Sequence, residues 1–247
     1  MKPHQRLAAF SSFISDYLTF NRLSKPAHRF SMTFGDRLVC LKEKTADSEF
    51  DRHYIYHTAW AARAVAALKP AFHVDISSSL YFCSIVSAFV PVRYFEFRPP
   101  HLSLDNLFLD RADLNSLPFE SGSIASVSCM HVVEHAGLGR YGDPINPDGD
   151  LKAIEELKRI CAPGGSVLFV VPVGRPRIRF NAHRLYSPSQ IMEYFSPFSL
   201  HEFAFIDDRS SNGPIRTVPI AELPSVTGEG CGCFWFIKNR LNNGDGK

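Results

Sequence analysis

The 247-residue sequence contains no apolar run near the roughly 20 residues that a membrane-spanning helix requires. It also has no marked excess of either charge. Lys and Arg number 27 against 25 Asp and Glu, a net charge of +2. General nucleic-acid binders carry a strong basic surplus, so that class is not expected. The opening residues, MKPHQRLAAFSSF, lack the long apolar centre and small-residue cleavage site of a signal peptide. There is no disulfide framework either. Cys40, Cys83, Cys129, Cys161, Cys231 and Cys233 are scattered, and four of them sit in apolar runs, where a thiol behaves as a small core residue. Cys231 and Cys233 form C-x-C with no second pair to complete a zinc site, so no metal is expected. These absences point to a reducing, cytoplasmic setting, with no membrane span and no nucleic-acid partner. There is no internal repeat and no low-complexity segment.

What the chain does have is apolar bulk: 45% hydrophobic residues, including 21 Phe, enough for a packed globular core. Residues 1–70 read as a helical extension. Leu7, Phe10, Ile14, Tyr17 and Leu18 have helical spacing, Met32 to Leu41 fits a short strand pair or an irregular arm, and Asp51 to Leu68 is a helix closed by Pro70. His53, Tyr54 and His57 fall about one turn apart on that helix, which suits either a pocket wall or ordinary surface histidines. From residue 71 strands and helices alternate. Strands are expected at 72–76, 92–97, 107–109, 124–130 and 167–171, with helices at 80–89 and 151–160. Ser187-Pro188-x-Gln190 is a capping box opening a helix to Phe195. The last strands fall at 200–206 and 233–238, with a Pro- and Gly-rich loop or lid between. Alternation of this kind predicts a parallel sheet with helices on both faces, and two final strands without a crossover helix predict an antiparallel edge.

The stretch Ser123 to Asp150 is the place to look for chemistry. A strand breaks there into a loop carrying His131, Glu134, His135, Arg140, Tyr141 and Asp143, punctuated by Gly137, Gly139 and Gly142. Polar groups packed at a strand end are costly for a fold, and α/β sheets bind ligands at the carboxyl ends of their strands. Two familiar patterns in this loop lack their context. His131-x-x-Glu134-His135 matches an inverted zinc-protease motif, but a strand leads in and glycines follow. Gly137-x-Gly139-x-x-Gly142 is followed by Asp143-Pro144 where a dinucleotide-binding helix would begin. Further on, Arg175, Arg177 and Arg179 alternate. With His183 and Arg184 they form either an anion site or a solvated basic edge.

The run Asp113-Leu-Asn-Ser-Leu-Pro-Phe-Glu-Ser-Gly-Ser-Ile, the histidine loop, the helix ending Lys158-Arg159-Ile160 and Ala162-Pro-Gly-Gly165 together resemble type 11 members of the class I S-adenosylmethionine-dependent methyltransferases, over about Phe72 to Val171. Glu134-His-Ala-Gly-Leu-Gly-Arg-Tyr-Gly-Asp-Pro144 and Phe180-Asn-Ala-His-Arg184 are similar to a small uncharacterised methyltransferase-like family, a domain of unknown function. The resemblance implies a Rossmann-like three-layer α/β sandwich over 71–247, with a mostly parallel seven-stranded sheet and an antiparallel edge. It implies S-adenosylmethionine as cofactor. Asp75 would close the first strand, Glu96 bind the ribose, Asp113 and Leu114 contact the adenine, and Met130 and His131 stand at the mouth of the fourth strand. The family's glycines are replaced by Ser77, Ser79 and Tyr81. Glycine there permits positive φ and close approach. Serine preserves some of that, and Tyr81 is large enough to fill the cofactor's place. Only about 17 residues join Glu96 to Asp113, so the second crossover helix is expected to be reduced to a loop.

For methyl transfer His135 is the first candidate base, with Asp143 orienting or replacing it and Glu134 beside them. Arg140, Tyr141, Asn181, His183 and Arg184 would hold a small-molecule or sugar acceptor, a setting such as surface-polysaccharide biosynthesis being an association only. Two alternatives stay open. One is a repurposed, non-catalytic fold binding a sugar, nucleotide or protein. The other is a glycan or nucleotide-sugar enzyme acting through Glu134, His135 and Asp143. The sequence leaves the oligomeric state open.

Overall fold

The structure, a computed structural model, describes residues 2–24, 30, 32–46, 48–210, 213–226 and 228–240. Two compact units divide at Phe50 and Asp51. The first contains α1 (Pro3–Ser24), a helix with no buried residue. It also contains an irregular arm with a single 3-10 turn at Phe34–Asp36, where Thr33 and Asp36 cap each other. The boundary expected at residue 70 therefore moves to 50. The physical reason is α2 (Arg52–Leu68), whose Trp60, Ala61, Ala64 and Val65 are buried in the core of the second unit.

The second unit is a three-layer α/β sandwich. Its strands are β1 (His73–Ile76), β2 (Val92–Glu96), β3 (Leu107–Arg111), β4 (Ile124–Met130), β5 (Cys161–Val173), β8 (Ser199–Asp207), β9 (Arg216–Thr217) and β10 (Gly230–Ile237). They form one sheet in the order β3-β2-β1-β4-β5-β10-β8-β9. The first five are parallel and β10 runs antiparallel between β5 and β8. The expected seven strands are joined by the two-residue β9, and β10 begins three residues earlier than expected. A separate hairpin pairs β6 (Arg177–Arg179) with β7 (His183–Leu185). The link from β2 to β3 contains no helix, as its shortness predicted. Among the described residues no helix is long and apolar enough to cross a membrane.

Period-2 alternation divides the core into two. On one face Phe169, Val171, Phe203, Phe205, Phe234 and Phe236 pack against α4 (Gly149–Ile160) and α5 (Pro188–Tyr194). Phe195 stacks on Phe236 with centroids 4.3 Å apart, and this layer absorbs much of the phenylalanine. On the other face Leu168, Val170, Cys233 and Trp235 meet α2 and α3 (Leu80–Val86). Helix α5 opens with the expected Ser187–Gln190 box. Asp148 stands at the N-cap of α4 without a capping bond, and the ion pairs on that helix form at i,i+3, Lys158 with Glu155 and Arg159 with Glu156. The second pair is structural. Glu156 accepts from the Leu117 amide at 2.7 Å, and Arg159 donates to the carbonyls of Leu117 and Phe119. The Leu-Pro-Phe run and the arginine that ends the helix thus lock one turn to another.

A chain of hydrogen bonds crosses from β1 to β4 inside the core. Ser128 donates to Asp75, so it accepts from Nε2 of His73 at 2.8 Å, and Nδ1 of His73 takes the Ser126 hydroxyl at 2.8 Å. Asp75 also accepts the Ser78 amide at 2.9 Å. All of these side chains are buried. Burial holds His73 down at about 3. It pushes Asp75 up to about 6, against the bonds from Ser128 and Ser78 that favour its charge.

Candidate functional site

The carboxyl ends of β4 and β5, with the end of β8, the start of β10 and the start of α2, surround a polar cleft of about 340 Å³. His53, Tyr54, His131, Glu134, His135, Arg140, Tyr141 and His183 line it, with Arg179, Asp208 and Glu229. The helix carrying His53 and Tyr54 is thus a pocket wall. His53 and Tyr54 both stack on His131, at 5.8 and 5.6 Å between centroids.

The loop that delivers these groups leaves β4 through His131, which adopts a left-handed φ of 58°. A 3-10 turn at Val133–His135 follows. Glu134 is buried, with Oε1 3.0 Å from Nδ1 of His131 and 3.8 Å from Nε2 of His135. Its Oε2 is buried without a partner among the described residues, and so is Nε2 of His57. His135 donates from Nδ1 to the Ala182 carbonyl at 2.6 Å, a bond that leaves Nε2 as the basic nitrogen. His131 and His135 do not share a helical face, so the inverted zinc-protease pattern is without its geometry. His183 is held below its ordinary range by burial and by Arg179. Burial pushes the Cys231 thiol, which lies beside His131, well up.

Several expected site residues prove to be framework. Asp143 accepts the amides of Gly137, Gly139 and Tyr141 at 2.7, 3.3 and 3.2 Å. Partial burial disfavours its charge, but these N–H groups outweigh that and hold its carboxyl below the usual range. It serves as a clasp of the loop. Arg184 is buried and donates to the carbonyls of Ala136 and Pro147 at 2.6 and 3.0 Å. It braces the loop and cannot reach a substrate. Glycine at 137 is required in its own right: φ is 75°, and a Cβ there would lie 2.0 Å from the Asn146 carbonyl oxygen. Asn181 is exposed at the hairpin tip and lies outside the cleft lining. The anion site expected of Arg177 and Arg179 is filled from within, because Glu229 takes both guanidiniums at 2.5 and 3.0 Å.

Of the expected cofactor residues, Asp75 and Met130 are fully buried. The Asp75 carboxylate and the Met130 backbone amide both support the turn above them. Ser78 accepts the Met130 amide at 3.0 Å. Ser77 holds φ at 56°, the conformation for which glycine is the ordinary choice, at a cost of about 1 kcal/mol. Its hydroxyl donates to the Phe95 carbonyl at 3.1 Å. Ser79 is the N-cap position of α3 and makes no side-chain capping bond. Tyr81 is 84% exposed and does not fill the space at the strand ends. Glu96 accepts the Phe97 amide at 2.8 Å through Oε1, while its Oε2 has only a 3.5 Å contact from the Tyr94 hydroxyl. Asp113 accepts the Asn115 amide at 2.8 Å, and Leu114 packs against the core edge. Sequence reasoning missed Asp208, Glu229 and Cys231. They lie in or beside the segment read as a loop or lid, and no motif spacing marks them.

The sheet order and the turn at the end of β1 define the fold of the class I S-adenosylmethionine-dependent methyltransferases, and solved structures of that class superpose on it. One is the 1,6-didemethyltoxoflavin-N1-methyltransferase of Burkholderia thailandensis with bound S-adenosylhomocysteine. It is 12% identical, covers 97% of this chain and 91% of its own, and has a TM-score of 0.53. A Haloferax volcanii methyltransferase, solved in complex with an activator protein, is 18% identical with coverage of 77% and 91% and a TM-score of 0.52. The N-methyltransferase NodS of Bradyrhizobium japonicum, with S-adenosylhomocysteine, is 10% identical with coverage of 74% and 85% and a TM-score of 0.52. In sequence, the family described as Caenorhabditis protein of unknown function, DUF268, matches residues 119–214. No curated protein matches the chain.

Proposed function

We propose that this protein is an S-adenosylmethionine-dependent methyltransferase acting on a small polar acceptor, with sugars the first class to test. One observation carries the reading. Ser77 keeps the left-handed backbone of the glycine it replaces, and Tyr81 is turned into solvent. Both features support a turn that still admits a cofactor, despite its serines. Ser77, Ser79, Glu96, Asp113 and Leu114 would hold the cofactor, with Asp75 and Met130 supporting from beneath. When bound, it supplies a methyl group activated on a sulfonium.

The chain's own work is then alignment and proton removal. Alignment alone accounts for much of such a rate. An acceptor hydroxyl in the cleft gives its proton to Nε2 of His135, whose tautomer the Ala182 carbonyl sets. Glu134, 3.8 Å away, stabilises the imidazolium that forms. Arg140, Tyr141 and His183 position the acceptor. The glycan-enzyme alternative loses its second carboxylate, since Asp143 is committed to backbone amides. The repurposed fold keeps one point in its favour: the hydroxyls of Ser77 and Ser78 are already paired within the protein.

Calorimetric titration with S-adenosylmethionine and S-adenosylhomocysteine separates the readings. Saturable binding is expected in the native protein and in His135→Ala, and its loss in Glu96→Ala. A folded protein that gives no heat with either ligand belongs to the repurposed class.

A further inference from the structure

Three donors from distant parts of the chain meet at the floor of the cleft. His53 comes from the first turn of α2, His131 from the end of β4 and Cys231 from the start of β10. One ligand atom from each lies within 4.8 Å of the others. We propose that these three residues bind a single thiophilic divalent cation, zinc being the first to test, with a fourth coordination position open to the cleft. The absence of metal expected from motif spacing rested on donors close in sequence, and these are 78 and 100 residues apart.

The distances fit such an ion. Nε2 of His131 stands 3.3 Å from Sγ of Cys231. Tetrahedral zinc holds nitrogen at about 2.1 Å and sulfur at about 2.3 Å, which places the two ligand atoms about 3.5 Å apart. These two atoms need little movement to admit the ion, while the ring of His53, parallel to that of His131 at 5.8 Å between centroids, has to turn and close in to complete the set.

The surroundings fit as well. Metal-binding histidines ordinarily give their other nitrogen to a carboxylate, which orients the ring. Both histidines have that partner here. Glu134 takes Nδ1 of His131 at 3.0 Å, leaving Nε2 toward the thiol. Asp208 takes Nε2 of His53 at 2.6 Å, leaving Nδ1 free to ligate. Two buried polar atoms close by, Oε2 of Glu134 and Nε2 of His57, have no partner among the described residues. Buried polar atoms are rarely left so, and the ring of His57 is 5.0 Å from that of His131. Two imidazoles and one thiolate suit zinc rather than magnesium or calcium, which prefer oxygen. Three protein ligands with an open position is the pattern of a site that holds water or a substrate atom. The site does not rest on the cofactor reading, and the two fail separately because their titrations use different ligands.

The test is titration of the chelator-treated, full-length protein with Co²⁺ as a spectroscopic probe, followed by competition with Zn²⁺. One equivalent of Co²⁺ is expected to bind with a thiolate charge-transfer band in the near ultraviolet. Cys231→Ser should abolish the band. His53→Gln should weaken binding by at least about tenfold, and Asp208→Asn, which leaves all three ligands in place, by about ten- to a hundredfold. Cys40→Ser, which removes an exposed thiol, should change nothing. Thermal melts report folding. Cys231 is buried, so if Cys231→Ser fails to fold, His53→Gln at its part-exposed site decides. Failure of the native protein to bind one equivalent overturns the proposal. So does binding that His53→Gln and Asp208→Asn leave unchanged, or a charge-transfer band that disappears with Cys40→Ser.

Discussion

Two histidine–carboxylate clusters adjoin β4, one through its Ser126 and Ser128 and the other just past its end at His131, and they are built to opposite specifications. The inner one runs Ser126, His73, Ser128, Asp75 and is sealed in the core. Each of its side-chain polar atoms that the fold encloses has a partner. The outer one, His131, Glu134, His135, His53 and His57, opens on a cleft and leaves two buried atoms without a partner among the described residues. Both join imidazole to carboxylate. What separates a strut from a site is completion: a closed network stabilises a core, and an incomplete one at the carboxyl edge of a sheet is poised for a ligand.

The largest expected effect breaks the inner cluster. Asp75→Ala strands the Ser78 amide and the Ser128 hydroxyl, each worth about 1–3 kcal/mol when buried unpaired. A loss near 3 kcal/mol is expected in urea unfolding. Glu134→Gln in the outer cluster should cost under about 1 kcal/mol, because one oxygen already has no partner and the other keeps its acceptor role. Equal costs would show that the two clusters do not differ as argued.

Acid titration sharpens the same contrast. His73 is held down at about 3 in the native state, so its contribution is complete above its ordinary 6.5 and is lost as pH falls through 3. Asp75 is pushed up to about 6, so its contribution is complete below its ordinary 3.8 and is lost as pH rises through 6. The two oppose each other in one window, and the histidine has the larger shift. At about 1.4 kcal/mol per unit, native stability should fall by about 2 kcal/mol between pH 6.5 and 3 from this pair. In His73→Asn that part of the slope should reverse. Unfolding free energies at four pH values, native against variant, read the difference directly. An identical slope in both proteins would place the acid sensitivity elsewhere.

Next in size is the clasp of the outer loop. Asp143→Ala frees three amides at a partly exposed site and should cost about 1–2 kcal/mol. Asp143→Asn, which keeps an acceptor oxygen, should recover about half. Cofactor titration beside the unfolding shows how far the clasp reaches, since Tyr141, whose amide Asp143 holds, lies against Arg98, two residues from Glu96. If Asp143→Asn is as stable as the native protein yet fails to transfer methyl, Asp143 is chemical after all.

How much of this was legible beforehand follows from what each part depends on. The parallel sheet was readable because strands and helices alternate along 72–171, a pattern each segment shows locally. The capping box at Ser187 was readable because its two partners are three residues apart. The histidine loop announced itself by glycines and charge. Its division of labour did not, since only the folded loop shows that Asp143 and Arg184 are spent on backbone groups. Glu229, Asp208 and Cys231 could not be found from spacing. They come to the cleft or beneath it from the end of β8 and the start of β10, a contact made in space and not along the chain. Even the exact place of the boundary at residue 50 turned on burial of Trp60, which helical periodicity alone does not report.

The smallest expected effect lies at Ser77, a serine held in the left-handed conformation that glycine adopts freely. Ser77→Gly removes a left-handed strain of about 1 kcal/mol and also removes the bond to the Phe95 carbonyl, worth about the same. Stability should therefore move by less than about 0.5 kcal/mol. The informative reading is the cofactor titration made beside it. If the serine hydroxyl crowds the turn, Ser77→Gly should tighten S-adenosylhomocysteine several-fold with no change in unfolding. If the hydroxyl itself holds the ligand, the variant should bind more weakly, again at constant stability. A change in stability without a change in affinity would move Ser77 into the company of His73 and Asp75, as part of the strut and not of the site.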